Sequence, residues 1–156
     1  MKEVYIICET SSLNSSGCDL YKISYLVVED GITTTMKEII INDVLTETFN
    51  GTEYHGLTYN DILQYGIPMK QALYQFLTDT NRADIFYGAH VNFHFNVIKN
   101  KLRGTYMYPQ DIKLQCILDL TEPKFGSRLT LKQFRARLPD NVSKLQSLYI
   151  LHKLCS

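Results

Sequence analysis

The stretch ADIFYGAHVNFHFNVI, residues 83–98, decides how this chain folds. Its first seven residues are a short apolar run of the kind that forms a buried strand. From position 92 onward, apolar residues recur at helical spacing, which predicts a helix over residues 92–104. A buried strand that turns directly into a helix is typical of an α/β protein.

The rest of the chain supplies further strands and helices on both sides of this stretch. Three strands are predicted before it, and the second and third form an antiparallel hairpin through an Asp-Gly turn. Periodic apolar positions and an N-cap at Thr58 predict the helices. The predicted strands cover residues 3–8, 19–31, 32–43, 83–89 and 113–120, and the predicted helices cover residues 58–64, 69–80, 92–104, 129–138 and 141–154. This order predicts one α/β domain over residues 1–156, with a mixed sheet flanked by helices.

Length and composition favour a single cytoplasmic domain. The chain has 156 residues, of which 45% are hydrophobic. No apolar run approaches the roughly 20 residues that a membrane-spanning helix needs. The four cysteines lack paired spacing, so we expect neither a disulfide framework nor a zinc knuckle. A composition rich in Asn, Ile, Lys and Tyr hints at an AT-rich genome, such as that of a phage or another virus.

The charge is unevenly distributed although the net charge is zero. Residues 1–98 carry 5 Lys/Arg against 12 Asp/Glu, a net −7, whereas residues 99–156 carry 11 against 4, a net +7. A basic block of this kind attracts phosphate groups or an acidic partner, but a solvated helix face has the same composition. The candidate nucleic-acid contacts in this block are Arg128, Lys132 and Arg135.

Five strings in sequence order resemble the DEDDh 3′–5′ exonucleases. Residues 7–11, ICETS, are similar to the family's D-x-E-T-T, and residues 54–58, YHGLT, to its V-H-G-I-T. Residues 83–98 follow the family's A-D-I-I-V-G-H-N-V-N-F-D-F-N-V-I without a gap. Residues 117–120 and 129–138 resemble the strand and the L-x-L-x-x-L helix that come next. The resemblance covers nearly the whole chain and implies a ribonuclease-H-like fold.

The resemblance also shows where catalytic residues would stand. The family hydrolyses phosphodiesters with two divalent ions held by carboxylates, and a histidine acts as general base. These positions fall on Ile7, Glu9, His94, Val142 and Ser147, the last two through the motif H-x-A-L-x-D. Only Glu9 keeps the family's residue type, and one glutamate with an imidazole cannot offset two dications. The resemblance therefore implies a pseudo-exonuclease, in which the fold is kept and the activity lost.

Two functions without catalysis are open at this point. The first is an accessory or interaction subunit in nucleic-acid metabolism, with a replication, repair or virion protein as its partner. The second is a module that binds single-stranded nucleic acid without cutting it. Its contacts would be the basic residues named above, His55 in the turn beside the family's nucleic-acid cleft, and aromatic rings of residues 106–108. Neither function implies a cofactor.

A third hypothesis keeps the enzyme active through an unusual site. His90 and His94 are four residues apart, and with Glu9 they could hold a single Mn²⁺ or Zn²⁺ ion. The opposing interpretation is that His94 packs against Glu9, or hydrogen-bonds to it, in a relic pocket.

Overall fold

The computed structural model of the chain describes residues 1–44, 46–103 and 112–156. Its centre is a five-stranded mixed sheet with the strand order β3-β2-β1-β4-β5. The strands are β1 (Lys2–Thr10), β2 (Leu20–Glu29), β3 (Ile32–Ile40), β4 (Ile85–Gly88) and β5 (Lys113–Cys116). The first three strands form an antiparallel meander, and β4 and β5 extend the sheet in parallel from β1. The predicted mixed α/β sheet is confirmed.

The described residues form seven α-helices and one 3₁₀ turn. They are α1 (Thr52–His55), α2 (Tyr59–Tyr65), α3 (Met69–Asp79), α4 (Val91–Leu102), the 3₁₀ turn (Ile117–Leu120), α5 (Thr121–Phe125), α6 (Leu131–Arg135) and α7 (Lys144–Cys155). Capping boxes at Thr58, Thr130 and Ser143 set the starts of α2, α6 and α7. Among these helices, none combines the length and apolar character that crossing a membrane requires.

Side-chain alternation along β1 divides the core into two layers, because successive residues of a strand point to opposite faces. Val4 and Ile6 join the layer that contains the buried residues of α3 and α4. Tyr5 and Ile7 join the layer that contains the buried residues of α6 and α7. By the same alternation, Glu9 lies on the α7 side of the sheet.

The predicted strand at 113–120 and the predicted helix at 129–138 are clearly shorter in the structure. The strand predicted at 113–120 ends at Cys116, and a 3₁₀ turn follows. Ile117 and Leu118 are both buried in the α7 layer, which consecutive residues of a regular strand cannot achieve. The helix predicted at 129–138 ends at Arg135, shortly before Pro139, whose ring disfavours helical geometry in the preceding residue. The short helices α1 and α5 were not predicted.

Candidate active site

The predicted catalytic positions meet where β1 ends. Ile7 and Glu9 lie in the last half of β1, and His94 lies in the first turn of α4. A hydrogen bond from Cys8 to His94 ties β1 to α4, and an ion pair between Glu9 and Lys144 ties β1 to the first residue of α7. The fold therefore assembles three of the segments that the resemblance implied.

Glu9 is paired with a lysine. The Lys144 ammonium lies 2.9 Å from Oε1 of Glu9, whose side chain is only 13% exposed. The same ammonium also donates a 3.2 Å hydrogen bond to the backbone carbonyl of Tyr54, which lies near the end of α1. One positive charge thus neutralises the carboxylate and joins three segments of the chain. The lysine ammonium therefore occupies the place beside Glu9 where a metal ion would have to bind.

His94 makes a hydrogen bond through each of its ring nitrogens. The Cys8 backbone N–H donates to Nδ1, at 2.9 Å, and Nε2 lies 3.0 Å from the Ala89 carbonyl oxygen. A backbone N–H can only donate and a carbonyl can only accept, so Nδ1 is unprotonated and Nε2 carries the proton. His94 is therefore a neutral imidazole with a defined tautomer. Burial lowers its pKa to about 4, which agrees with the neutral state at physiological pH.

The sheet explains why a histidine is useful at this position. Parallel pairing of β1 with β4 reaches only from Glu3 to Tyr5. The Cys8 N–H lies beyond the end of that ladder and would otherwise be an unpaired donor at a partly buried sheet edge. His94 supplies the acceptor that a neighbouring strand would have provided. We therefore assign a structural role to its imidazole.

An isoleucine occupies the position where the resembled exonucleases have their first metal-binding aspartate. Ile7 is 7% exposed and belongs to a buried layer of hydrophobic residues. That layer also contains Ala89, Leu145 and Leu148. A carboxylate at position 7 would lie in apolar surroundings, where a charge is strongly disfavoured.

The last two predicted positions lie at the start of α7. Val142 precedes the helix, and its N–H donates to the Pro139 carbonyl at 3.1 Å. Ser147 is fully buried, and its hydroxyl donates to the Lys144 carbonyl at 2.6 Å. Neither side chain offers a general base or a metal-binding carboxylate. The segment is thus near Glu9 without supplying the groups that hydrolysis requires.

These residues do not fit the two Mg²⁺ ions that the fold family implies. Hard cations need several oxygen ligands, and this site offers one carboxylate that is already paired. The predicted single-metal set also differs from the structure, because both nitrogens of His94 are hydrogen-bonded within the protein. His90 is an exposed residue in the left-handed turn before α4, with φ 55°. No group of three His, Cys, Asp or Glu side chains in the described ranges is placed to hold a metal ion.

His55 is held within its own loop. The Leu57 N–H donates to its Nδ1 at 3.0 Å, and Nε2 lies 2.8 Å from the Asn50 carbonyl. Its ring also packs edge-on against Tyr21, with 5.1 Å between the centroids. The contact of His55 with nucleic acid stays a prediction, although both ring nitrogens already have partners within the loop.

The three basic candidates lie around α6. Arg128 pairs with Asp119 at 3.3 Å, and both side chains are substantially exposed. Lys132 is exposed and Arg135 half-buried, one helical turn apart on α6. Within the described ranges, neither Lys132 nor Arg135 forms an ion pair. The aromatic residues 106–108, predicted as a stacking surface, lie outside the described residues.

Sequence reasoning did not single out Lys144 as a site residue. It counted this lysine only as one member of the basic block. A signal was present, because the motif H-x-A-L-x-D, aligned from Val142, places its alanine on Lys144. That signal marks the position as altered, but only the structure shows that the lysine pairs with Glu9.

The sheet and its helices are similar to those of exonuclease I. A product-bound exonuclease I superposes with a TM-score of 0.78 and 10% identity, over 98% of this chain and 42% of that chain. The complex of exonuclease I with an SSB C-terminal peptide superposes with a TM-score of 0.77 and 11% identity, over 98% of this chain and 40% of that chain. E. coli exonuclease I with a dA16 oligonucleotide superposes with a TM-score of 0.75 and 11% identity, over 98% of this chain and 39% of that chain.

At these identities the likeness shows the fold, and the predicted ribonuclease-H-like fold is confirmed. This chain spans about two fifths of the length of the exonuclease I structures it matches. No protein-family model matches the sequence, and no curated protein is similar to it in sequence.

Proposed function

We propose that residues 1–156 are a catalytically inactive exonuclease-like domain that works as an accessory or interaction subunit in nucleic-acid metabolism. The observation that carries this proposal is the ion pair between Glu9 and Lys144. It places a lysine ammonium next to the one acidic residue that remains of the family's catalytic set. The carboxylate is thereby engaged within the protein.

The chemistry of phosphodiester cleavage supports the same conclusion. Two-metal hydrolysis needs enough negative charge to hold two dications about 3.5–4 Å apart. Here the adjoining positions carry Ile7, a neutral His94 and Ser147, which contribute no negative charge. Val142 stands where a histidine would activate the attacking water. In the described part of the chain, these positions therefore supply neither the metal ligands nor the base.

The proposed partners follow from the fold comparison. Exonuclease I has been captured with an SSB C-terminal peptide and with a single-stranded dA16 oligonucleotide. By analogy, this domain would bind a protein of replication or repair, or a virion component if the source is a phage or another virus. Loss of catalysis favours a protein partner, because holding a partner requires only the surface of the fold.

A second candidate function is non-cutting binding of single-stranded nucleic acid. Lys132 and Arg135 on α6 favour it, because neither forms an ion pair within the described part of the chain. When such residues neutralise phosphates, counter-ions are released from the nucleic acid, and the affinity therefore falls steeply with salt. This binding would leave the strand intact.

A nuclease assay tests the inactive domain. We expect no shortened product from 5′-labelled single-stranded DNA or RNA with either Mg²⁺ or Mn²⁺. A Glu9→Gln variant, purified in the same way, is the matched control for contaminating nucleases. A ladder of products from the natural chain that disappears in Glu9→Gln would contradict the proposal.

The same oligomers in a gel-shift experiment separate the two candidate functions. A shift that weakens with salt and is lost when Arg128, Lys132 and Arg135 are changed to glutamate would favour the binding module. Lys70→Glu, an exposed change on α3, is the control for a general loss of positive charge. The absence of a shift would favour the protein-interaction role.

A further inference from the structure

We propose that a pocket between α4 and the loop of residues 11–18 binds a phosphate-bearing ligand of mononucleotide size. Its volume is about 420 Å³, within the range of about 300–1,000 Å³ that small-molecule sites occupy. Its polar lining consists of Ser15, Ser16, Asn96, Lys99, Asn100 and Arg103. None of the residues of the relic active site lines this pocket, so the proposal goes beyond the proposed function.

The charge of the pocket selects an anion. Lys99 lies in the last turn of α4, Arg103 directly follows the helix, and both are exposed. Among the residues that the structure describes, no carboxylate lines the pocket, and neither cation forms an ion pair. A guanidinium binds phosphate oxygens through paired N–H groups, and a lysine adds a compact positive charge.

The wall opposite α4 is fastened to the helix. The Asn100 side-chain amide donates to the Ser15 carbonyl at 2.8 Å, and the Lys101 ammonium donates to the Cys18 carbonyl at 2.5 Å. These two bonds hold the loop, and with it Ser15 and Ser16, against the helix. Ordering of the loop before the ligand arrives reduces the entropy lost on binding.

The side-chain amides of Asn96 and Asn100 offer contacts to parts of a ligand other than its phosphate. Asn96 is exposed in the pocket, and Asn100 keeps an acceptor oxygen while its nitrogen bonds Ser15. Such groups suit the donors and acceptors of a ribose or a base. The end of α4 presents its carbonyl groups, whose partial negative charge opposes an anion. Lys99 and Arg103 must therefore supply the attraction, and their loss should have a large effect.

A titration of the full ¹⁵N-labelled chain tests the pocket. The probes are inorganic phosphate, thymidine 5′-monophosphate and a dT oligomer, and the signals are the amides of Ser15, Ser16 and Asn96. We expect saturable shifts at these amides. The double variant Lys99→Gln/Arg103→Gln should bind at least about tenfold more weakly, because it removes both charged contacts. Lys70→Gln/Lys153→Gln removes two charges elsewhere and should bind as the natural chain does.

The probes also distinguish the two sources of the phosphate. Saturation by the monophosphate indicates a free nucleotide, and saturation by the oligomer alone indicates a backbone phosphate of a strand. Either result supports a phosphate site. The proposal is overturned if no probe saturates the three amides, or if both double variants weaken binding equally. Nuclease activity in the assay above would leave this result unchanged, so the two proposals fail separately.

Discussion

Replacing His94 with leucine is expected to lower the free energy of unfolding by about 2–4 kcal/mol at pH 7. Leucine fills similar space but offers neither an acceptor for the Cys8 N–H nor a donor for the Ala89 carbonyl. A buried backbone group without a partner costs about 1–3 kcal/mol. Denaturant unfolding of the natural chain and the variant measures the difference.

The effect of this substitution depends on pH in a defined direction. The pKa of His94 is lowered from 6.5 to about 4 in the folded chain, mainly by burial. Between these values the unfolded chain binds more protons, so the stabilising contribution is complete above about pH 6.5 and is lost as the pH falls toward 4. The contribution at stake is about 3 kcal/mol at most. The difference between the natural chain and His94→Leu should therefore shrink in acid.

A control variant and a comparison between variants isolate the role of His94. His94→Asn keeps an acceptor at the position of Nδ1, so it should be less destabilising than His94→Leu. Burial also lowers the pKa of His152, which hydrogen-bonds to Tyr5 and gives a parallel pH dependence in every variant. The diagnostic quantity is thus the difference between variants. A difference that is independent of pH would contradict the neutral, doubly bonded imidazole.

Placing an aspartate at position 7, where the resembled exonucleases have one, is expected to destabilise the fold by about 3–5 kcal/mol. The Ile7→Asp carboxylate would lie in the apolar layer between the sheet and α7, where a charge is strongly disfavoured. Burial raises the pKa of such a carboxyl group. The loss of stability should therefore be greatest at neutral pH and diminish in acid, as the group takes up a proton.

Ile7→Val is the control for lost volume, with an expected cost of about 0.5–1.5 kcal/mol. Ile7→Asn is the control for polarity without charge, and its cost should not vary with pH. Thermal unfolding at several pH values compares the three variants. If Ile7→Asp were as stable as Ile7→Val at neutral pH, water or a cation would reach position 7, and the apolar description of the site would be wrong.

Local patterns predicted much of the fold. Thr58 caps α2 as predicted, and the hairpin of β2 and β3 turns at the predicted Asp-Gly. These features depend on residues close together in the sequence. The prediction that β5 continues to residue 120 was wrong, because the burial of Ile117 and Leu118 in one layer depends on tertiary packing.

The site could be predicted only in part. The sequence indicated that Glu9 stands without the other carboxylates. It could not indicate that Lys144, 135 residues away, supplies the counter-ion, because that contact depends on how α7 crosses β1. It also could not show that the Cys8 N–H lies beyond the end of β4 and needs His94. Both contacts follow from tertiary structure, which periodicity does not encode.

The most direct test of the account is a Mn²⁺-binding measurement. Electron paramagnetic resonance follows free Mn²⁺ during titration into the natural chain and into Glu9→Gln. The paired glutamate and the doubly bonded imidazole predict that both proteins leave the free-ion signal equally unchanged. Stoichiometric loss of that signal with the natural chain, absent in Glu9→Gln, would mean that Lys144 yields its place to a metal and would contradict the inactive site.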